Sequence, residues 1–193
     1  MDKRIEKTLA NAREAAIDVL ASGGFAAFTM EAVAEQSGIS KSTLYRHWPD
    51  RLHLLADALE TLNQQPRPNE PLKRNQLRER TIELVTHLAS VFEESRIASV
   101  MPALIEAAEH HEQLAAFLHG YSATRRKALV RLLQQGIASG ELADNFNADL
   151  AALALSGPIF YCRLMSPTPF PRKKVAELVD LVLGHPGSST KRR

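Results

Sequence analysis

Residues 29–48, TMEAVAEQSGISKSTLYRHW, leave the folding chain few choices. Thr29 can cap a first short helix, because its hydroxyl accepts from a free amide of the opening turn, and Met30, Val33 and Ala34 give that helix one apolar side. Gly38 stops it, since glycine enters the left-handed region without Cβ strain, and Ile39 can fold back onto the helix just ended. Ser40 then caps a second helix. Leu44 and Trp48 turn inward at i, i+4 spacing, while Lys41, Ser42, Thr43, Tyr45, Arg46 and His47 are left for its ends and outer face. A small residue at the crossing, Ala34, and a permissive corner four residues later, Gly38, are what a helix-turn-helix needs. An ordinary helical hairpin would satisfy the same two conditions. It would gain nothing, however, from Lys-Ser-Thr and Tyr-Arg-His on its outward side, whereas a recognition helix needs short hydroxyl side chains near its N-terminus, where it meets base edges.

The remainder reads as helix throughout, so the expected fold class is all-α. Ile5, Leu9, Ala12, Ala16, Val19 and Leu20 recur at helical spacing over residues 3–21, and Gly23-Gly24 closes that run. Pro49-Asp50 breaks the second short helix and starts another, carried by Leu52, Leu55 and Leu59 to residue 62. Prolines 66, 68 and 71 place a domain boundary, giving a helix-turn-helix domain with its connector at 1–63 and a second helical domain at 72–184. Within the latter, periodic apolar residues predict helices at 77–94, 97–108, 112–139, 147–165 and 172–183, with Gly140 and Pro167, Pro169 and Pro171 as breaks. The tail 185–193, rich in Pro, Gly, Ser and basic residues, is expected to be disordered. There is no internal repeat, sustained heptad or strand-like alternation.

Charge argues by distribution rather than by sum. The net charge is +2, and residues 1–55 carry seven basic and seven acidic side chains, so bulk basicity says nothing about nucleic acid. From Gly38 to His53, Lys41, Arg46 and Arg51 face only Asp50, and Lys3, Arg4 and Lys7 add a basic cluster that suits either a phosphate backbone or a solvated helix face. No apolar run approaches the roughly 20 residues of a bilayer span, and the N-terminus carries no signal-peptide core, so no membrane partner and a cytoplasmic location are expected. The single cysteine, Cys162, excludes an internal disulfide, and its apolar neighbours suggest an inert buried thiol.

Enzymatic chemistry finds no purchase. The chain lacks a glycine-rich phosphate loop, a Gly-x-Ser-x-Gly elbow and a paired-carboxylate or Cys/His arrangement, so no catalytic residue and no cofactor is expected. His110-His111-Glu112 comes nearest to a metal site. A His-Glu-x-x-His helix needs a second histidine where Ala115 stands, and His119 is two turns away, so a solvated turn is the expectation and metal is not.

The motif residues resemble one family, the TetR/AcrR-type bacterial transcriptional regulators. The likeness runs from the first helix through Gly23-Gly24-Phe25 and Phe28-Thr29-Met30-Glu31-Ala32-Val33-Ala34, then Ser37 to Trp48, and on to Leu54-Leu55. Arg51 departs from the family's usual lysine at the start of the fourth helix, and Leu52 from a common acidic residue; arginine keeps the charge but not the point-like geometry of a phosphate clamp. The resemblance implies base-edge contacts from Lys41, Ser42 and Thr43 and phosphate contacts from Thr29, Tyr45, His47 and Arg51. Over the second half the likeness is weaker, through Gly140-Glu141-Leu142, Asp149, Leu150, Gly157 to Tyr161 and Leu178 to Gly184.

It implies dimerisation through the last two long helices, with Leu153, Gly157, Phe160, Leu164 and Leu181 at the interface, and the residues agree: the helix at 147–165 is apolar nearly all round and Gly157 permits a close approach, although one subunit's own core would also explain this. It further implies an effector pocket among the helices after the linker. These carry His87, Phe92, Met101, Ile105, Phe117, Tyr121, Tyr161 and Met165, large apolar groups with a few polar tips that suit an unknown, mostly hydrophobic ligand, although core packing is the more ordinary role for any one of them. The expectation is therefore a homodimeric regulator of a near-palindromic duplex DNA operator, released from it by a small molecule. The alternative is a DNA-binding or helical interaction protein without an effector.

Overall fold

Helix after helix begins on a cap that the chain supplies from its own side chains. The computed structural model describes residues 3–66 and 71–184, and among them every regular element is helical. These are α1 (Lys3–Ala27), α2 (Met30–Ser37), α3 (Lys41–His47), α4 (Arg51–Leu62), α5 (Leu77–Glu94), α6 (Arg96–Ala108), α7 (Glu112–Ala138), α8 (Ala148–Met165) and α9 (Val175–Leu183), the last preceded by a 3-10 turn at Arg172–Lys174. Thr29, Ser40, Asp50, Ser95 and Asn147 each accept a backbone N–H of the helix they precede. Such a cap satisfies one of the four amides that a helix start leaves open and is worth about 1 kcal/mol. Gly24 leaves the helical region (φ 66°, ψ −170°), so the regular helix stops at the expected glycine pair and one further turn, counted with α1, follows the kink to Ala27. The expected tail at 185–193 lies outside the described residues, as do the side chains of Lys3 and Arg4 in the basic N-terminal cluster.

Contacts gather the helices into two compact units. The first comprises Met1–Gln64 and Ser95–Tyr121, so it holds α1 to α4, α6 and the first residues of α7. Here α1 packs against α2, α4 and α6, burying Ile17, Leu20, Phe28, Leu44, Leu54, Leu55, Leu59, Ile97 and Leu104 almost completely. Each such side chain contributes roughly 1.5–3 kcal/mol relative to exposure. Polar ties reinforce the apolar ones: Arg96, opening α6, reaches Glu14 (3.3 Å) and Asp18 on α1. This grouping differs from a division drawn at the prolines. Ile97, Val100, Met101 and Leu104 are buried in α6, and because α6 packs on α1 it joins the N-terminal helices instead of its sequence neighbours.

The second unit holds α5, the rest of α7, α8 and α9. Helix α5 packs on α8 and α9, and Arg78 grips Asp180 with two bonds of 2.6 and 2.8 Å. Arg172 binds Glu93 (2.7 Å) and Glu94 (2.6 Å). Gly136 is where α7 meets α5: a Cβ there would stand 2.5 Å from Leu77 Cδ2, so no larger residue fits without displacing Leu77. Helix α8 is 18 residues long and largely apolar, but Asp149 and Arg163 leave its uninterrupted apolar stretch well short of a bilayer span, and length and composition of this kind suit a core helix equally. Its inner side, Ala148, Ala151, Ala152, Leu155 and Ile159, is buried within the unit.

Candidate nucleic-acid interface

Local bonds fix the shape of the α2–α3 corner. Thr29 Oγ1 accepts from the Ala32 amide (3.1 Å), which makes its hydroxyl a helix cap first. At the far end Gly38 adopts φ 69°, ψ 16°, and Ser37 Oγ donates to Val33 O (2.6 Å) while accepting from the Ile39 amide (3.3 Å). Ser40 then caps α3 through the Thr43 amide (3.2 Å), and its hydroxyl also meets those of Thr43 (2.8 Å) and Ser42 (3.1 Å). Three hydroxyls therefore cluster at the start of α3. Leu44 and Trp48 are buried, Thr43 is half-buried, and Lys41, Ser42, Tyr45, Arg46 and His47 are exposed.

One face of α3 thus anchors it and the other presents donors. Lys41 Nζ lies 3.2 Å from Glu31 Oε1 on α2. The Glu31 carboxyl is held below its ordinary range by its own backbone N–H at the start of α2 and then by Lys41. The pair is wide open to solvent, so Lys41 can leave Glu31 at little cost.

Asp57, a residue with no mark in the sequence, holds α3 in place. Its Oδ2 accepts from Trp48 Nε1 (3.0 Å) and from Arg13 Nε (2.9 Å), joining the end of α3 to α4 and α1. Nothing in the local pattern points to it, because its partners lie 9 and 44 residues away. His47 stacks at a tilt beside Trp48, with centroids 5.8 Å apart. Arg51 is engaged inwardly: Nη1 donates to Phe28 O (2.8 Å) and Phe25 O (3.3 Å), and the guanidinium lies 4.1 Å from the centre of the Phe25 ring. A lysine ammonium has no such plane to lay against the ring. Beside it, burial raises the Asp50 carboxyl, but bonds from the His53 ring and backbone outweigh this and the net shift is downward.

The residues expected to bind a ligand divide between the units. Met101 is buried and Ile105, Phe117 and Tyr121 are half-buried in the first, where Phe117 and Tyr121 stack at 6.2 Å. In the second, Phe92 is buried and His87 half-buried, its pKa pushed down by burial and then by the charge of Arg125. Tyr161 and Met165 stand out in solvent, 64% and 75% exposed.

The expected interface residues separate as well. Leu153, Leu164 and Leu181 are exposed, and Gly157 is open, with nothing within 4 Å of a Cβ built there. Together with Leu150, Tyr161 and Met165 they give α8 and α9 an outward apolar face. Phe160 points the other way, its ring 4.6 Å from that of Phe92. Because α8 is apolar all round, the sequence could not assign its two sides.

Comparison with known proteins agrees with this geometry. Residues 13–58 match the family described as bacterial regulatory proteins, tetR family, and residues 73–182 match the tetracyclin repressor-like C-terminal domain. The chain is 31% identical over 157 residues to the uncharacterized HTH-type transcriptional regulator YdeS of Bacillus subtilis, covering 79% of this chain and 76% of that one. It is 35% identical over 71 residues to the HTH-type transcriptional repressor KstR of Rhodococcus jostii, covering 33% of this chain and 34% of that one. In fold it resembles Salmonella enterica GusR, with a TM-score of 0.72 at 20% identity, covering 92% and 95% of the two chains. A capped helix-turn-helix matched across its length, with a C-terminal half matched in turn, places this chain in the TetR family of DNA-binding transcriptional regulators, which are not enzymes.

Proposed function

We propose that this regulator is a homodimeric repressor that holds a near-palindromic operator and is released from it by a small, mostly hydrophobic ligand. The observation that carries the DNA half is the exposed side of α3, a row of donors held rigid by the buried Leu44 and Trp48. Lys41, Ser42 and Thr43 read base edges from the start of α3, while Tyr45, His47 and the cap at Thr29 lie against phosphates; Arg51 adds its charge from the place where it braces Phe25. One recognition helix reads too few base pairs for a unique site, so two copies are required, roughly 34–36 Å apart or more on the duplex. The outward apolar face of α8 and α9 supports the pairing, since a face of that kind asks for a partner. Repression follows the relative whose name declares it, KstR. For the ligand, Met101, Ile105, Phe117 and Tyr121 offer apolar contact and one hydroxyl.

Selection of binding sites from random duplexes by the full-length protein tests the reading. A two-fold symmetric consensus is expected. Thr43→Ala is expected to alter base preference within each half-site at a cost of roughly 1–3 kcal/mol, whereas Tyr45→Phe weakens all duplexes alike. A selected profile unchanged by Thr43→Ala would remove that residue from base reading.

A further inference from the structure

Both ends of α4 are tied to the beginning of α7 by contacts that no DNA-facing role explains. At the first residue of α4 the Arg51 guanidinium rests 4.1 Å from the centre of the Phe25 ring, and the same ring lies 5.4 Å, tilted 54°, from the ring of His111, the residue just before α7. At the other end Asn63, which terminates α4 and is buried, donates from Nδ2 to the Tyr121 hydroxyl at 3.1 Å. The two joints are similarly spaced: Arg51 to Asn63 is about 18 Å of helix and His111 to Tyr121 about 15 Å, at a rise of about 1.5 Å per residue. Between them sits Asp57, which holds Trp48 at the end of α3. A shift of α4 therefore carries the recognition helix with it.

We propose that His111 and Tyr121 are positioning residues for DNA recognition, acting through Phe25 and Asn63 to hold α4 at both ends so that α3 keeps the attitude an operator requires. The inference rests on the DNA-binding reading above and adds to it the residues that transmit position. Neither touches DNA in this account. Releasing either joint lets α4 sample other orientations, and operator affinity falls in proportion to the loss of the competent fraction. His111 is exposed, yet its ring lies against the buried Phe25, and Tyr121 is kept half-buried beside Phe117 with its hydroxyl on Asn63.

The test is operator affinity of the full-length protein by fluorescence anisotropy, with thermal unfolding of each variant in parallel. Tyr121→Phe removes one hydroxyl, and His111→Ala removes one ring; each is expected to weaken operator binding about fivefold or more, within the range of coupling between linked sites, at a temperature where thermal unfolding shows the variant to be fully folded. His111→Phe restores a ring against Phe25 and is expected to recover most of the loss. Asn63→Ala and Tyr121→Phe are expected to be strongly non-additive in affinity, because either alone breaks the same bond. Binding by both single variants within about twofold of the unaltered protein, or full additivity of the Asn63 and Tyr121 changes, overturns the proposal. So does a His111→Phe protein that binds as weakly as His111→Ala. If the unaltered protein selects no duplex at all, the DNA-binding reading itself falls, which is a distinct result.

Discussion

At the scale of single residues, the recognition surface owes its rigidity to a side chain that faces away from it. Trp48 is 6% exposed and its indole N–H has Asp57 as partner, which Arg13 also binds. Asp57→Ala leaves that buried donor without an acceptor and Arg13 without its carboxylate. A loss of about 1–3 kcal/mol is expected in urea unfolding, the usual cost of orphaning a buried donor. A change below about 0.5 kcal/mol, the scale of an ordinary surface substitution, would show that water replaces the carboxylate freely. Arg51 makes a related point. Its departure from lysine reads, from sequence, as a modest change to a phosphate clamp, but the guanidinium lies over Phe25 and through Nη1 binds the carbonyls of Phe25 and Phe28, a broad planar contact that a compact ammonium does not offer.

At the scale of elements, α8 is the instructive helix. Its inner residues pack within the second unit, and its outer residues, with Leu181 of α9, form an apolar face that water meets in the isolated chain. Leu153→Glu and Leu181→Glu place charges on that face without touching the core, so each is expected to yield a folded monomer in sedimentation with operator binding reduced to that of a single half-site. Phe160→Glu behaves differently. It sets a carboxylate against Phe92, where an unpaired charge is costly, and it is expected to lower the melting temperature before it alters assembly. Dimers that persist in both leucine variants would move the proposed interface elsewhere.

At the scale of the whole molecule, the proposed release by a ligand carries a thermodynamic obligation. Whatever factor the ligand takes from operator affinity, the operator must take from ligand affinity. Screening for apolar compounds that raise the melting temperature, then titrating each with and without operator, is expected to find one that binds the free protein more tightly by the factor with which it weakens the complex. Equal affinity in the two titrations for every stabilising compound would leave a regulator with no effector of this kind.

Much of this protein was legible in its sequence because the signals are local. A serine or threonine before an apolar period and a glycine after it act within one turn, which is why α2, α3 and the Gly38 corner lie where the residues place them. The start of α4 follows for the same reason, since Pro49 and Asp50 speak to their immediate neighbours. What only the tertiary structure decided are the relations between distant residues and the facing of helices that are apolar on all sides. Residue spacing could not show that α6 gathers with α1, that Phe160 turns inward while Tyr161 turns out, or that Arg51 and His111 share the ring of Phe25. Periodicity shows that a helix buries a side; which side, and against what, is settled by the helices that compete to cover it.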